Sequence, residues 1–118
     1  MNNKAETRFH GMLGFAMRAG KVIIGTELVC SALSSGGAKR PRLVLVARTA
    51  SDGTKKKIST KCEFYGVEKI EINEDAEALG RLLGKLFAPA AVAIIDQRFA
   101  DEIKRALESM ESGETALP

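Results

Sequence analysis

The residue types that perform catalysis or hold metal ions are few and scattered in this chain. His10 is the single histidine among the 118 residues, which excludes a histidine-rich metal site and argues against a Cys–His catalytic pair. Cys30 and Cys62 are the two cysteines, and no CxxC spacing joins them. In a cytoplasmic protein, isolated cysteines are typically small buried hydrophobic residues rather than a disulfide. The sequence therefore predicts no metal site and no cofactor.

One glycine-containing stretch, GKVIIG, is superficially similar to a nucleotide-binding loop. Gly20 and Gly25 flank it, but the lysine-serine ending of a phosphate loop and the third glycine of a dinucleotide fingerprint are missing. Several acids have no spacing that would pair them, which is typical of helix caps and solvated helix faces. These acids are Asp52, Glu63, Asp96 and Asp101. We therefore predict no catalytic residues and no enzymatic activity.

Charge is distributed unevenly between the two parts of the chain. Residues 1–69 contain 13 lysines and arginines against 5 acids, whereas residues 70–118 contain 5 against 10. A basic segment in a chain of net charge +3 suggests a polyanionic partner, although a solubilising surface with chance clustering explains this pattern equally well.

Membrane and export signals are absent from the sequence. No apolar run approaches the roughly 20 residues that a bilayer span requires. The first residues, MNNKAETRFHG, lack the apolar core of a signal peptide. We therefore expect a cytoplasmic protein that does not bind membranes.

Helix and strand patterns alternate from one end of the chain to the other. Apolar spacing predicts helices over 6–18, 26–35 and 54–65, a fourth helix capped by Asn73 that buries Leu86, and a last helix capped by Asp96. Strands are predicted over 22–24, 42–47, 67–72 and 91–95. With no linker or repeat, this alternation predicts one α/β domain over residues 1–111, with helices on both faces of a central sheet. Residues 112–118 are predicted to be a frayed tail.

The corner after the first predicted strand has the features of a nucleic-acid contact. Gly25 precedes a helix whose first N–H groups carry partial positive charge and can hold a phosphate or a base carbonyl. A glycine there leaves room for close approach by a nucleotide backbone. Basic side chains fall near other junctions, and we expect one end of the sheet to gather them. They are Lys21, Arg48, Lys55, Lys56 and Lys57. The lysine run alone would be typical of a solvated helix face.

Four stretches together resemble the L7Ae/L30e superfamily of ribosomal proteins that bind kink-turn RNA, and more closely its short bacterial YlxQ-type branch. They are LGFAMRAGKVIIGTELV (13–29), LVLVARTASDGTKKKISTKCEFYGV (43–67), LGRLLGK (79–85) and AVAIID (91–96). They occur in the order found in the family and span nearly the whole predicted domain. The resemblance implies a three-layer α/β/α sandwich with a four-stranded mixed sheet and no catalytic activity.

The resemblance also places RNA-binding positions on the second helix. In the family, the loop before this helix and its first turn enter the widened groove at the kink, and these positions fall on Gly25, Thr26, Glu27 and Leu28. A further position, at which the family often has a lysine, falls on Ser31. Gly25 matches the glycine of the family, whereas the asparagine, glutamate and lysine of the archaeal type are replaced by Glu27, Leu28 and Ser31. An acid followed by an apolar residue, as here, is usual in the bacterial branch. Glu27 can only accept hydrogen bonds, whereas an asparagine also donates them. We expect Leu28 to turn inward.

Two further segments are implied by the family pattern. Arg48 and the following threonine stand where the branch usually has an acid pair, which adds positive charge beside the RNA face. The loop that starts at Lys85, Leu86 and Phe87 matches an apolar loop that covers a flipped-out nucleotide in the family. Phe87 is either a stacking residue there or a core residue that caps the fourth helix.

The favoured prediction is a non-catalytic, monomeric protein that binds structured, kink-turn-like RNA, with ribosomal RNA and the ribosome as one setting. Two alternatives remain. The acidic last third of the chain, including NEDAE (73–77), suits a protein–protein adaptor with the same fold. The chain could also be the recognition module of an RNA methyltransferase, which would need a partner because the sequence ends before any catalytic domain.

Overall fold

Five helices and four strands alternate along residues 4–111, the part of the chain that the computed structural model describes. The helices are α1 (Lys4–Arg18), α2 (Thr26–Ser35), α3 (Asp52–Tyr65), α4 (Ala76–Leu82) and α5 (Gln97–Glu111). The strands are β1 (Val22–Ile24), β2 (Leu43–Val46), β3 (Glu68–Glu71) and β4 (Ala91–Ile94). A 3-10 turn, Gly37–Lys39, precedes β2. None of the helices within residues 4–111 has the length and apolar character of a membrane span. The tail predicted over 112–118 lies outside the described residues.

The sheet is mixed, as predicted. Its strand order is β1-β4-β2-β3, in which β4 runs antiparallel to β1 and β2, while β3 runs parallel to β2. β1, β2 and β3 therefore all point the same way. Their carboxyl ends and the amino end of β4 meet at one edge of the sheet, which we call the junction edge. In α/β sheets, ligands usually meet the loops at such an edge.

Apolar side chains form two cores, one on each face of the sheet. The first lies under α1, α4 and α5, and its largest fully buried members from these helices are Phe9, Leu13, Leu79 and Ile103. The second lies under α2 and α3 and includes Val29, Leu33, Ile58 and Cys62. β2 and β4 are buried along their whole length, because successive side chains of a strand alternate between the two cores. The predicted three-layer sandwich is thus confirmed.

Side-chain caps set the starts of α3 and α5. The Ser51 hydroxyl accepts a hydrogen bond from the Thr54 amide at 3.1 Å. The Asp96 carboxylate accepts one from the Phe99 amide at 3.0 Å, which confirms the predicted cap. Each cap satisfies one of the amides that a helix N-terminus leaves without an intrahelical partner.

We expect Ser51→Ala to lower the free energy of unfolding by about 1 kcal/mol, because the Thr54 amide loses its acceptor. Urea unfolding followed by circular dichroism measures the change. Ser59→Ala, further along the same helix, is the matched control and should leave stability unchanged or slightly raised, since alanine is the better helix former. Equal losses for both variants would contradict the capping role.

The fourth helix begins and ends at other residues than predicted. Its N-cap is Asp75 rather than Asn73, and the Asp75 carboxylate accepts from the Ala78 amide at 2.8 Å. The helix stops at Leu82, and the chain turns at Gly84 with φ of 72°. Leu86 therefore lies beyond the helix and is fully exposed, so its predicted burial is wrong.

Both cysteines are free and buried, as predicted. Cys30 lies on α2 and Cys62 on α3, in the core between these helices and the sheet. Burial raises the pKa of Cys62 to about 11. The Cys62 thiol therefore stays protonated at neutral pH and acts as a small hydrophobic side chain.

Candidate nucleic-acid interface

Backbone hydrogen bonds join the chain segments that meet at the junction edge. The Gly25 amide, after β1, donates to the Ala91 carbonyl at the start of β4 at 2.9 Å. The Ala47 amide, after β2, donates to the Ala90 carbonyl at 2.8 Å. The segment before β4 therefore lies between the turns that follow β1 and β2, and all three are held in a fixed relation.

The corner at Gly25 combines a glycine-specific backbone with an open helix N-terminus. Gly25 is the N-cap of α2 and has φ of 107° and ψ of 143°, a conformation that other residues adopt only with strain. The first helical bond runs from the Val29 amide to the Gly25 carbonyl at 2.9 Å. The amides of Thr26, Glu27 and Leu28 therefore have no acceptor within the helix. A Cβ built on Gly25 would meet no atom within 4 Å, so the space in front of the corner is open.

The first turn of α2 presents an acid and an apolar side chain to solvent. Leu28 is 62% exposed, so its predicted inward orientation is wrong. The buried stripe of α2 starts one residue later, with Val29 and Leu33 at the i, i+4 spacing. The Glu27 side chain is 89% exposed. Ser31, also exposed, lies about one turn further along the helix.

The lysines at the start of α3 point in different directions. Lys57 Nζ lies 3.6 Å from the Glu27 carboxylate, which brings it to the first turn of α2. Lys55 Nζ lies 2.9 Å from the carboxylate of Glu71 on β3. Lys56 is exposed and forms no ion pair within residues 4–111. Exposed ion pairs contribute little stability, so an incoming phosphate can compete for these ammonium groups.

Arg48 lies at the junction edge and holds the loop between β3 and α4. Its amide donates to the Glu74 carbonyl at 2.9 Å, and its Nε donates to the Asn73 carbonyl, also at 2.9 Å. Its terminal nitrogen is 4.0 Å from the Asp75 carboxylate, while the side chain remains 57% exposed. Part of the guanidinium therefore contacts the protein itself, and the rest is exposed to solvent beside the junction edge.

Lys21 lies at the opposite end of the sheet. It precedes β1, and its carbonyl accepts a hydrogen bond at 3.0 Å from the amide of Ile95, the residue after β4. The prediction that one sheet end gathers all the basic residues is therefore wrong for Lys21. Because Lys21 precedes β1 and Gly25 follows it, the two residues lie at opposite ends of this strand.

The loop between α4 and β4 is held tightly at its base and exposes its tip. The Lys85 amide donates to the Gly80 carbonyl at 2.8 Å, and a Cβ built on Gly80 would lie 2.2 Å from the Phe87 carbonyl oxygen. Only a glycine at position 80 permits this approach. Phe87 is 56% exposed, and Leu86 is fully exposed. Of the two interpretations of Phe87, a core residue is therefore wrong.

A groove of about 200 Å³ lies between this loop and α4. It is lined by Glu77, Arg81, Lys85, Leu86, Phe87 and Ala88. Arg81 was not among the residues predicted from the sequence. The available signal was its spacing of four from Lys85 at the end of a helical pattern. Two cations beside two exposed apolar side chains could contact both the phosphate and the base of a nucleotide.

The chain matches the model of the Ribosomal protein L7Ae/L30e/S12e/Gadd45 family over residues 7–104. It belongs to this family. It is 37% identical over 109 residues to RNA-binding protein YlxQ of Enterococcus faecium, covering 92% of this chain and 99% of that one. To RNA-binding protein YlxQ of Bacillus subtilis it is 40% identical over 92 residues, covering 78% and 87%. A solved structure of a Bacillus halodurans protein of unknown function superposes with a TM-score of 0.78 at 27% identity, covering 86% and 97%. The predicted resemblance is confirmed.

Proposed function

We propose that this protein binds structured RNA, without catalysis, through the junction edge. Family membership and the names of the YlxQ relatives point to a non-enzymatic RNA-binding protein. The observation that carries the location is the Gly25 corner, where a glycine with open space at its Cβ position precedes three helix amides that no capping side chain satisfies. A cytoplasmic location, a monomeric state and association with the ribosome belong to the same proposal.

The Gly25 corner can contact both phosphates and bases. The open amides at Thr26 and Leu28 are donors for a phosphate oxygen or a base carbonyl. The Glu27 carboxylate can accept from the amino or imino group of a guanine. Lys57, 3.6 Å from that carboxylate, offsets its repulsion of the RNA backbone, and Lys56 is a further exposed cation at the start of α3.

The loop after α4 supplies the second half of the proposed surface. Phe87 offers an exposed ring for stacking on an unpaired base, and Leu86 adds apolar contact beside it. Stacking of a base on an aromatic side chain contributes about 1–3 kcal/mol. Arg81 and Lys85 line the same groove and can hold the adjoining phosphates. The loop leads directly into β4, where the Ala91 carbonyl accepts a hydrogen bond from the Gly25 amide. The end of the loop is therefore close to the Gly25 corner.

We further propose that the preferred RNA contains a kink-turn, in which a widened groove and an unstacked base occur together. The test compares a kink-turn duplex with the same duplex in which the sheared G·A pairs are replaced by Watson–Crick pairs. We expect tighter binding to the kink-turn by more than about tenfold, or about 1.4 kcal/mol. Equal affinity would refute kink-turn recognition but leave RNA binding standing. Failure to bind either duplex at moderate salt would refute both.

The placement of the lysines predicts how salt affects two charge-matched variants. Lys56→Ala should weaken RNA binding and reduce the slope of log affinity against log salt by about one, since one phosphate contact is lost. Lys21→Ala removes the same charge at the opposite end of the sheet and should leave the slope unchanged. Fluorescence anisotropy over a series of salt concentrations measures both. A reduced slope for Lys21→Ala alone would move the site to the other edge.

The adaptor alternative has weaker structural support. It relied partly on the acidic segment 73–77, but two of its acids are engaged within the protein. Glu74 lies 2.9 Å from His10, and Asp75 caps α4. The alternative of a methyltransferase recognition module stays a prediction.

A further inference from the structure

Three side chains that are distant in sequence converge where α1 meets the loop before α4. Glu6 and His10 are one turn apart on α1, and Glu74 comes from the loop that follows β3. One ligand atom from each residue lies within 4.8 Å of the others. His10 Nε2 is 2.9 Å from Glu74 Oε2. The set consists of one imidazole nitrogen and carboxylate oxygens from two residues.

Most of the Glu74 side chain is shielded from solvent, which is unusual for a carboxylate. Its side chain is only 14% exposed, and His10 contacts only one of its two oxygens. The other oxygen, Oε1, is buried and finds no hydrogen-bond donor among the described residues. A buried carboxylate oxygen without a donor is destabilising unless a cation or a donor satisfies it. The Glu74 carboxylate, whose other oxygen contacts His10, therefore has one oxygen that a bound cation could satisfy.

The residues that carry these ligands are held in place by the surrounding structure. The Glu74 carbonyl accepts from the Arg48 amide, and the preceding carbonyl of Asn73 accepts from the Arg48 side chain, both at 2.9 Å. The His10 ring lies 5.5 Å, centroid to centroid, from the ring of Phe9, which is fully buried. The ligands therefore stand on segments that are fixed without a metal ion, as a preorganised site requires.

We propose that Glu6, His10 and Glu74 form a binding site for a divalent transition-metal ion, for which Zn²⁺ fits the donor set best. Imidazole nitrogen and carboxylate oxygen are ordinary zinc ligands, whereas Mg²⁺ and Ca²⁺ prefer all-oxygen sites. Zinc–ligand bonds of about 2.0–2.1 Å place tetrahedral ligand atoms about 3.3 Å apart. The separations within the cluster, from 2.9 Å for His10 and Glu74 to no more than 4.8 Å for any pair, bracket this value. Water would take the fourth position.

A bound ion would replace the His10–Glu74 hydrogen bond with a bridge between α1 and the loop before α4. It would also neutralise the carboxylates of Glu6 and Glu74, the second of which stands on the loop whose backbone Arg48 contacts. The inference does not depend on RNA binding, because it rests on this cluster alone.

The test uses the full chain without an affinity tag, stripped of metal and titrated with Zn²⁺ by calorimetry. We expect one ion per chain and a raised melting temperature with zinc, since a ligand that binds the folded state stabilises it. Glu74→Gln and His10→Gln should each weaken binding by more than about tenfold, because even the outer-shell partners of metal ligands contribute that much. Glu77→Gln, which makes the same charge change three residues from Glu74, is the matched control and should bind as the unchanged protein does.

Titration with Co²⁺ identifies the ligand atoms independently of the variants. A nitrogen–oxygen site gives visible d–d bands without the near-ultraviolet charge-transfer band of a thiolate, and that band would assign the metal to Cys30 or Cys62 and overturn the proposal. Absence of 1:1 binding, or equal binding by Glu74→Gln and Glu77→Gln, would also overturn it. If His10→Gln does not fold by circular dichroism, Glu6→Gln, also expected to weaken binding, takes its place.

Discussion

Replacing Gly25 with glutamate is expected to lower the affinity for a kink-turn RNA by about 100-fold, equivalent to about 2.7 kcal/mol. Two effects act together. The new side chain would start from a Cβ that meets no atom beyond the adjoining residues within 4 Å, on the side where the RNA backbone is proposed to approach. The backbone at φ of 107° also disfavours any side chain, which costs about 1–3 kcal/mol of stability. Fluorescence anisotropy measures affinity, and urea unfolding measures stability.

Gly25→Ala separates these two effects. It imposes the same backbone strain without the charge, so it should lose as much stability as Gly25→Glu but much less RNA affinity. An unchanged affinity in Gly25→Glu would show that the site is misplaced. Equal losses of affinity in both variants would show that backbone geometry, rather than open access to the helix amides, governs recognition.

Gly80→Ala is expected to lower the free energy of unfolding by about 1–3 kcal/mol, the usual range for overpacking. Its Cβ would lie 2.2 Å from the Phe87 carbonyl oxygen and 3.2 Å from Pro89 Cδ. The first contact is with backbone, so the loop after α4 must move as a unit. Because this loop carries the proposed stacking residue, the RNA affinity should fall as well.

Gly11→Ala is the matched control for that substitution. Gly11 also lies in a helix, but a Cβ there would meet no atom within 4 Å. Alanine is the better helix former, so Gly11→Ala should raise stability by about 0.5–1 kcal/mol. Chemical unfolding of both variants measures the two signs. A stability gain in Gly80→Ala would contradict the close packing of the loop on α4.

Most of the fold could be predicted from local patterns. The second helix runs from Thr26 to Ser35, as its pattern predicts, because glycines bound it on both sides. The pattern of the fourth helix continued through Leu82 and Leu83 to Leu86, but Gly84 turns the chain first. Apolar spacing alone does not show where a helix stops when the breaking glycine stands inside the pattern.

The candidate site was predicted less completely, for reasons of topology and orientation. Lys21 and Gly25 are close in sequence, yet β1 lies between them and places them at opposite ends of the sheet. The apolar character of Leu28 indicated burial, whereas its position on α2 directs it to solvent. His10 and Glu74 are 64 positions apart in sequence, and their contact depends on how α1 packs against the β3–α4 loop. The number and spacing of histidines in the sequence do not reveal such a contact.

The central claim is that RNA binds at the junction edge, and NMR of the isotope-labelled protein tests it most directly. Backbone amide shifts are followed while a kink-turn RNA is added. We predict the largest shifts at 25–28, at 48–57 and at 81–91, with little change at Lys21, at 36–42 and at 95–96, which lie at the opposite end of the sheet. Shifts concentrated at that opposite end, or no shifts at RNA concentrations that saturate binding by anisotropy, would contradict the account.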